Sequence, residues 1–195
     1  MLHAHLIRLN EISEKFFRAF RPLHENYWFA LRASVLVVIH FFKCEKCGNC
    51  CRYSPPVFCE DEVIKISEYL ELAIENLPLE KYEFLSKTYY KANSPCPFLT
   101  DDNKCSIYEI RGRACRAFPH EWLMYSLVPC YCPAIPKALE RAADFIANHT
   151  EDLKRAIAMM ENELRLLASD SKFKEQMRSL EYSPLVKKLF EILND

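Results

Sequence analysis

The feature that most constrains this chain is a group of four cysteines within a short stretch of sequence. The string FKCEKCGNCC at 42–51 contains Cys44, Cys47, Cys50 and Cys51. Two thiolates separated by two residues can bind one metal, and two such steps in succession repeat the spacing that holds an iron–sulfur cluster. The chain is therefore predicted to fold around a metal ion or a metal cluster.

Composition places the chain among ordinary globular proteins. It has 195 residues, of which 50% are hydrophobic, and a formal net charge of -1. Such a chain can bury a sizeable core in one domain with an appendage. Its near-neutral charge gives no electrostatic reason to expect nucleic acid as a partner.

Cysteine content and the N-terminal sequence indicate a cytoplasmic protein. The chain has 10 cysteines, below the density of small disulfide scaffolds, and the N-terminal sequence lacks the pattern of a secretory signal. The most apolar stretch, 30–42, is shorter than the roughly 20 residues that span a membrane and includes Arg32 and His40. We therefore expect no membrane association.

The chain divides into an N-terminal helical arm with a core segment (1–40), a cysteine-rich middle (41–135) and a helical tail (136–195) packed on the same domain. The predicted fold class is mainly α, with a small irregular α+β cysteine-rich core that binds the metal. Helical periodicity predicts helices over 3–20 and 61–73, and another through Tyr82 and Tyr89. The β-branched run within 30–42 suits a buried strand, although a buried helix would look similar. The predicted tail seam consists of Leu153, Ile157, Met160, Leu164 and Leu167, and Ser183 before Pro184 predicts a further helix start.

The scarcity of glycine excludes several enzyme classes. Only Gly48 and Gly112 occur, so a glycine-rich phosphate loop and the dinucleotide fingerprint are absent. The Cys-x3-Cys-x2-Cys spacing of radical enzymes and the His-Glu-x2-His motif of zinc proteases do not occur either. No single cysteine stands out as a nucleophile, because the array of similar residues suggests ligation as their shared role.

The remaining cysteines supply the rest of a ligand set. Adjacent side chains diverge, so Cys50 and Cys51 are not expected to bind one tetrahedral metal easily, and Cys51 suggests a second site. Cys96 and Cys132 each precede proline, as does the closing cysteine of bacterial ferredoxin motifs. The candidate metal ligands are Cys44, Cys47, Cys50, Cys51, Cys96, Cys105, Cys115 and Cys132.

These motifs resemble the CxxCxxCC family of zinc- or iron-chelating proteins, also called YkgJ-like. The matching strings are FKCEKCGNCC at 42–51, SPCPFL at 94–99, CSIYEIR at 105–111 and CRAFP at 115–119, with a final Cys132-Pro133. The chain departs from the family at Gly112, where proline usually follows the arginine. Cys59 and Cys130 fall outside the pattern and are interpreted as small buried side chains.

The resemblance implies a metal centre, and its metal remains open because thiolates suit zinc, iron–sulfur clusters and Cu(I) alike. A similar segment in flagellin lysine methylases looks like an iron–sulfur centre, which favours [4Fe-4S] over Zn²⁺. In this interpretation Cys44, Cys47 and Cys50 anchor the centre, and downstream cysteines complete it. Arg111 and Arg116 flank Cys115, where they could tune the centre or serve only solubility. His120 is a weaker candidate for a nitrogen ligand.

Three functions remain open at this stage. The first is an iron–sulfur protein with an electron-transfer or oxidoreductase role and an unidentified redox or protein partner. The second is a zinc-binding structural or interaction module, in which the metal replaces part of a core. The third, suggested only by the methylase resemblance, is a component of a protein-modifying system.

Overall fold

The computed structural model describes residues 2–120, 123, 131–162, 165 and 183–194. The described helices are α1 (Leu2–Phe20), α2 (Tyr27–Phe41), α3 (Asn49–Tyr53), α4 (Glu60–Leu70), α5 (Arg113–Ala117), α6 (Ala134–Asn148), α7 (Thr150–Met159) and α8 (Ser183–Asn194). Three 3-10 turns lie at Arg21–Leu23, Ile74–Asn76 and Tyr108–Ile110. The strands are β1 (Val57–Cys59), β2 (Leu79–Phe84) and β3 (Lys87–Ala92). The predicted fold class, mainly α with a small α+β region, is confirmed.

The chain forms two compact units. One unit comprises Met1–Lys43 with Pro119–Asp195, and the other comprises Cys44–Phe118. The arm and the tail therefore belong to one unit, which also includes 119–135. The expectation that the tail packs on the cysteine-rich middle stays a prediction.

The first unit is a helical assembly with an apolar interior. Helix α1 buries the stripe Leu9, Ile12, Phe16 and Phe20, as its helical spacing predicts. This stripe faces α6, and Lys15 on α1 forms an ion pair with Asp144 on α6 at 2.6 Å. The asparagine before α2, Asn26, accepts a hydrogen bond from the backbone N–H of Trp28 at 2.9 Å and so caps that helix.

The alternative of a strand within 30–42 is wrong, because these residues belong to helix α2. The consecutive residues 29–38 are all buried, since α2 packs against α1, α6, α7 and α8. A helix covered on every side is apolar all round and loses the periodicity that distinguishes a helix from a strand. Among the helices described here, none is long and apolar enough to cross a membrane.

The tail prediction is confirmed where the structure describes it. Leu153, Ile157 and Met160 are completely buried, and α8 begins at Ser183. Leu164 and Leu167 lie outside the described residues.

The second unit contains an antiparallel sheet with strand order β1-β3-β2. Phe58 on β1 lies opposite Tyr90 on β3, and Tyr82 on β2 lies opposite Tyr89. Helix α4 packs on β1 and β3, where Val63 and Ile66 are buried. The predicted helix 61–73 is confirmed over most of its length, but it ends earlier because Glu71 adopts the left-handed conformation at φ 54°.

The predicted helix through Tyr82 and Tyr89 is wrong. These residues form the β2–β3 hairpin, whose two-residue turn consists of Leu85 and Ser86 at φ 50° and 58°. Left-handed conformation at both turn residues is the hairpin geometry usually signalled by asparagine and glycine. Without those residues the turn had no sequence signal, and apolar positions at 82, 85 and 89 fit a helical repeat by coincidence.

Candidate metal centre

A glycine positions Cys50 and Cys51, the second half of the cysteine quartet formed by Cys44, Cys47, Cys50 and Cys51. Gly48 precedes α3 with φ 73°, a conformation that side chains rarely adopt. A Cβ atom there would lie 2.9 Å from Leu99 Cδ1 and 3.3 Å from the carbonyl oxygen of Asn103. Gly48 therefore permits the close approach of α3, which carries Cys50 and Cys51, to the loop at 99–103.

That loop brings two more cysteines to α3. The backbone N–H of Cys96 donates to the carbonyl oxygen of Cys51 at 2.7 Å. Leu99 pairs with Cys105 in an antiparallel bridge, and the N–H of Leu99 donates to the carbonyl oxygen of Cys96 at 3.0 Å. The chain thus turns back on itself between Cys96 and Cys105, which both pack at the border of the unit's apolar core.

Helix α5 carries a further cysteine, Cys115, and the start of α5 is hydrogen-bonded to α4. The backbone N–H of Arg113, the first residue of α5, donates to Glu62 Oε1 at 2.6 Å, and Glu62 is buried. The preceding Gly112 contacts Phe58, since a Cβ atom at Gly112 would lie 2.7 Å from Phe58 Cδ1. These contacts fix the start of the helix that carries Cys115.

Cys50 and Cys51 lie close together, which corrects the expectation that adjacent side chains must diverge. Their sulfur atoms are 4.0 Å apart. Two thiolates bound to one tetrahedral zinc at about 2.3 Å would be separated by about 3.8 Å. The short helix α3 therefore presents both sulfurs to one side, and neither is excluded from a shared site.

The two sulfur atoms are within hydrogen-bonding distance, and either can be the donor. This hydrogen bond lowers the pKa of Cys50 to about 6, with a smaller contribution from the positive charge of Arg111. The same hydrogen bond raises the pKa of Cys51, which also lies under the influence of Cys96 and Cys105. The pair is therefore arranged to carry one negative charge on Cys50.

Burial disfavours the thiolate form of the other three cysteines. It raises the pKa of Cys96 and of Cys105. It also raises the pKa of Cys115 to about 12, and nearby negative charge from Cys96, Cys105 and Cys50 adds to this effect. The charges on Cys50, Cys96 and Cys105 each act on other cysteines of the set. We call Cys50, Cys51, Cys96, Cys105 and Cys115 the thiol group.

Arg111 is the cation that acts on the thiol group. Its charge opposes the effect of burial at Cys105 and Cys115. Arg116 instead donates from its guanidinium to the carbonyl oxygen of Arg111 at 2.6 Å. Arg113 pairs with Glu62 and Asp61. Of the two arginines considered from sequence, Arg111 is the one whose charge reaches the cysteines, whereas Arg116 supports its backbone.

The aromatic ring of Tyr108 links Arg111 to the segment that contains Cys44 and Cys47. The Arg111 guanidinium carbon lies 4.1 Å from the centre of the Tyr108 ring, and Lys46 Nζ lies 4.4 Å from it. Lys46 stands between Cys44 and Cys47, and its N–H donates to Cys44 Sγ at 3.4 Å. Tyr108 therefore holds the segment with these two cysteines next to the segment that leads to Cys115. Sequence analysis did not identify this contact, which has no signature in residue spacing.

The other predicted ligands differ in burial and in the unit to which they belong. Cys44 is exposed and Cys47 half-buried, and their role as anchors stays a prediction. Cys132 is buried in the first unit, two residues before α6 begins. His120 also belongs to that unit, where it is completely buried near Arg32. Cys59 precedes α4 and lies outside the thiol group, and Cys130 lies outside the described residues.

The thiol group fits a thiophilic metal. Its donors are all sulfur, they come from four separate segments, and the 4.0 Å spacing of Cys50 and Cys51 suits coordination. In the described chain, no three Cys, His, Asp or Glu side chains already form a coordination set for a single ion. Metal binding would deprotonate the thiols, since thiolate is the ligating form.

The fold and the thiol group define a metal-binding cysteine-cluster protein. Residues 43–133 match the model of the CxxCxxCC family, described as a zinc- or iron-chelating domain. No curated protein and no solved structure matches the chain significantly.

Proposed function

We propose that the thiol group holds a [4Fe-4S] cluster that serves electron transfer. The observation that carries the proposal is that Cys115 interacts electrostatically with Cys50, Cys96 and Cys105, which lie on three other segments of the same unit. Four cysteine thiolates are the usual ligand set of such a cluster. Cys51, hydrogen-bonded to Cys50, would then lie beside the ligands and influence the charge on Cys50.

The surroundings of the thiol group suit a redox centre. Four thiolates give an oxidised [4Fe-4S] centre a formal charge of about −2, which the nearby guanidinium of Arg111 offsets. When bound, the cluster supplies the ability to accept and return one electron. The protein's own contribution is to exclude water with the apolar residues packed around Cys96, including Phe98 and Ile107.

The partner and compartment belong to the same proposal. A protein with a redox centre requires an electron donor or acceptor, and a cluster held by free thiols is compatible with a reducing compartment such as the cytoplasm. The idea of a protein-modifying system stays a prediction that the contacts in the thiol group neither require nor exclude.

The proposal is tested on full-length protein purified without oxygen. Iron, acid-labile sulfide and zinc are measured per chain, and the absorption spectrum is recorded before and after addition of dithionite. About four irons and four sulfides per chain, with a visible absorption that dithionite bleaches, are the expected result. Protein that lacks sulfide and has no visible absorption would contradict it.

A zinc-binding structural module is the second candidate. It is favoured by the 4.0 Å separation of the Cys50 and Cys51 sulfurs, which is close to that of two thiolates on one tetrahedral ion. In a [4Fe-4S] cluster each iron takes one cysteine, so this close pair would contribute a single ligand. Colourless protein with about one zinc per chain and no sulfide would establish this function.

A further inference from the structure

The free edge of strand β2 forms a surface outside the thiol group. In the sheet that the described residues form, β2 lies at the edge and has β3 as its neighbour. Residues 80–84 are all exposed. An edge strand presents backbone N–H and C=O groups that can pair with another strand. The outer edge of β2 is therefore available for strand addition.

The hairpin turn determines which backbone groups point outward. Because the loop contains two residues, Phe84 and Lys87 close it as a hydrogen-bonded pair. Hydrogen-bonded and non-hydrogen-bonded pairs alternate along an antiparallel ladder, so Tyr82 and Glu80 also bond towards β3. The backbone groups of Lys81 and Glu83 consequently point away from β3, towards the free edge.

We propose that a second copy of this chain pairs with that edge, with the two β2 strands antiparallel and centred on Tyr82. In this register Lys81 lies opposite Glu83 of the other copy, and the two-fold symmetry forms this pair twice. Each pair joins outward-pointing backbone groups and places opposite charges side by side. Tyr82 then lies opposite its own counterpart on the other face of the sheet.

Charge selects this register among the symmetric ones. Centring the strands on Lys81 would place two lysines opposite each other, and centring them on Glu80 or on Glu83 would place two glutamates opposite each other. Like charges directly opposite destabilise strand pairing. Registers centred between two residues would set an outward-pointing residue against an inward-pointing one, which the hydrogen-bond alternation does not allow.

Apolar residues at the hairpin tip add a reason for the edge to be covered. Phe84 is 60% exposed and Leu85 is 80% exposed. Leu85 also adopts φ 50°, which is unfavourable for a leucine. In the proposed register Phe84 lies opposite Glu80 of the other copy, so pairing removes part of the exposed Phe84 ring from water.

The test is a charge exchange on the full chain, followed by sedimentation velocity over a range of protein concentrations. Wild type is expected to form a concentration-dependent dimer. Lys81→Glu and Glu83→Lys each replace both attractive pairs by repulsive ones, so each is expected to weaken the dimer about tenfold or more. The double variant, Lys81→Glu with Glu83→Lys, restores opposite charges across the interface and should restore the dimer.

Controls separate this effect from folding and from net charge. Glu75→Lys changes the net charge as Glu83→Lys does but lies outside β2, and it should leave the dimer intact. Circular dichroism of each variant checks the fold. A monomeric wild type at all concentrations, single variants that dimerise like wild type, or a folded double variant that stays monomeric would each overturn the proposal.

Discussion

Oε1 of Glu62 accepts two hydrogen bonds from Arg113, one from the backbone N–H at 2.6 Å and one from Nε at 3.1 Å. Oε2 of the same carboxylate accepts the backbone N–H of Cys59 at 2.9 Å. One buried carboxylate thus joins the start of α4 to the start of α5. Since α5 carries Cys115, this contact connects the scaffold of the second unit to the thiol group.

Replacing Glu62 by alanine should destabilise the protein and weaken metal binding. The change removes the acceptor of two backbone N–H groups and one of the two carboxylates that contact the Arg113 guanidinium, which is expected to lower the free energy of unfolding by about 2–3 kcal/mol. Chemical denaturation measures this loss, and metal content measures its effect on the site. Asp61→Asn is the matched control, because Asp61 contacts the same guanidinium at 2.9 Å from an exposed position. It should change stability by about 0.5 kcal/mol or less, and an equal effect of both variants would contradict the special role of Glu62.

Gly112→Ala tests the contact between α5 and β1. The added methyl group would approach Phe58 Cδ1 at 2.7 Å, and the phenyl ring is completely buried, so it cannot move aside freely. A loss of about 1–3 kcal/mol is expected from overpacking. Combining Gly112→Ala with Phe58→Leu should cost less than the sum of the two single changes, because the smaller side chain makes room. Additive effects in thermal or chemical unfolding would show that the steric contact is unimportant.

Arg111→Gln should lower the reduction potential of the centre under the proposed function. Removing a positive charge near the sulfurs makes the reduced, more negative state less favourable. Arg116→Gln is the control, since the Arg116 guanidinium donates to the Arg111 carbonyl oxygen, whereas the charge of Arg111 acts to lower the pKa of Cys115. A redox titration followed by absorption should therefore show the larger shift for Arg111→Gln. A larger shift for Arg116→Gln would reverse the assignment of the two arginines.

His120 should make the stability of the protein depend on pH. Burial lowers the pKa of His120 from 6.5 to about 3 in the folded protein, and the positive charge of Arg32 contributes. The unfolded chain therefore takes up a proton at a higher pH than the folded chain does. The stabilisation is complete above about pH 6.5 and is lost progressively as the pH falls towards 3.

The magnitude can be measured between pH 6.5 and 5. Wild type should lose up to about 1.4 kcal/mol per pH unit more than His120→Gln, whose side chain does not titrate. Urea denaturation at several pH values gives both slopes. Parallel slopes for the two proteins would show that His120 is not the group responsible.

The sequence predicted a helix correctly where that helix has one exposed face and one buried face. The stripe of Leu9, Ile12, Phe16 and Phe20 was predicted and is buried, because α1 has one side facing the core. Prediction from sequence failed where burial was complete, as in α2, and where a turn lacked its usual residues, as at Leu85 and Ser86. Both failures follow from tertiary contacts that override local signals.

The sequence predicted which residues form the candidate site more reliably than how these residues are arranged. All five members of the thiol group were among the eight candidate ligands. Spacing alone favoured Cys44, Cys47 and Cys50 as anchors, whereas the position of Cys96 and Cys105 beside α3 depends on a loop that folds back on that helix. The structural role of Glu62 has a partial signal in the sequence. Glu62 stands three positions after Cys59, which precedes α4, and an acidic residue at this position is part of a recognised helix N-terminal pattern.

The most direct test of the account is the metal content per chain of Cys105→Ser compared with Cys59→Ser. Both variants remove one half-buried thiol from the second unit, but Cys105 belongs to the thiol group and Cys59 lies outside it. The account predicts that Cys105→Ser loses most of the bound metal while Cys59→Ser retains it. Full retention by Cys105→Ser, with loss in Cys59→Ser, would contradict the assignment of the thiol group as the metal centre.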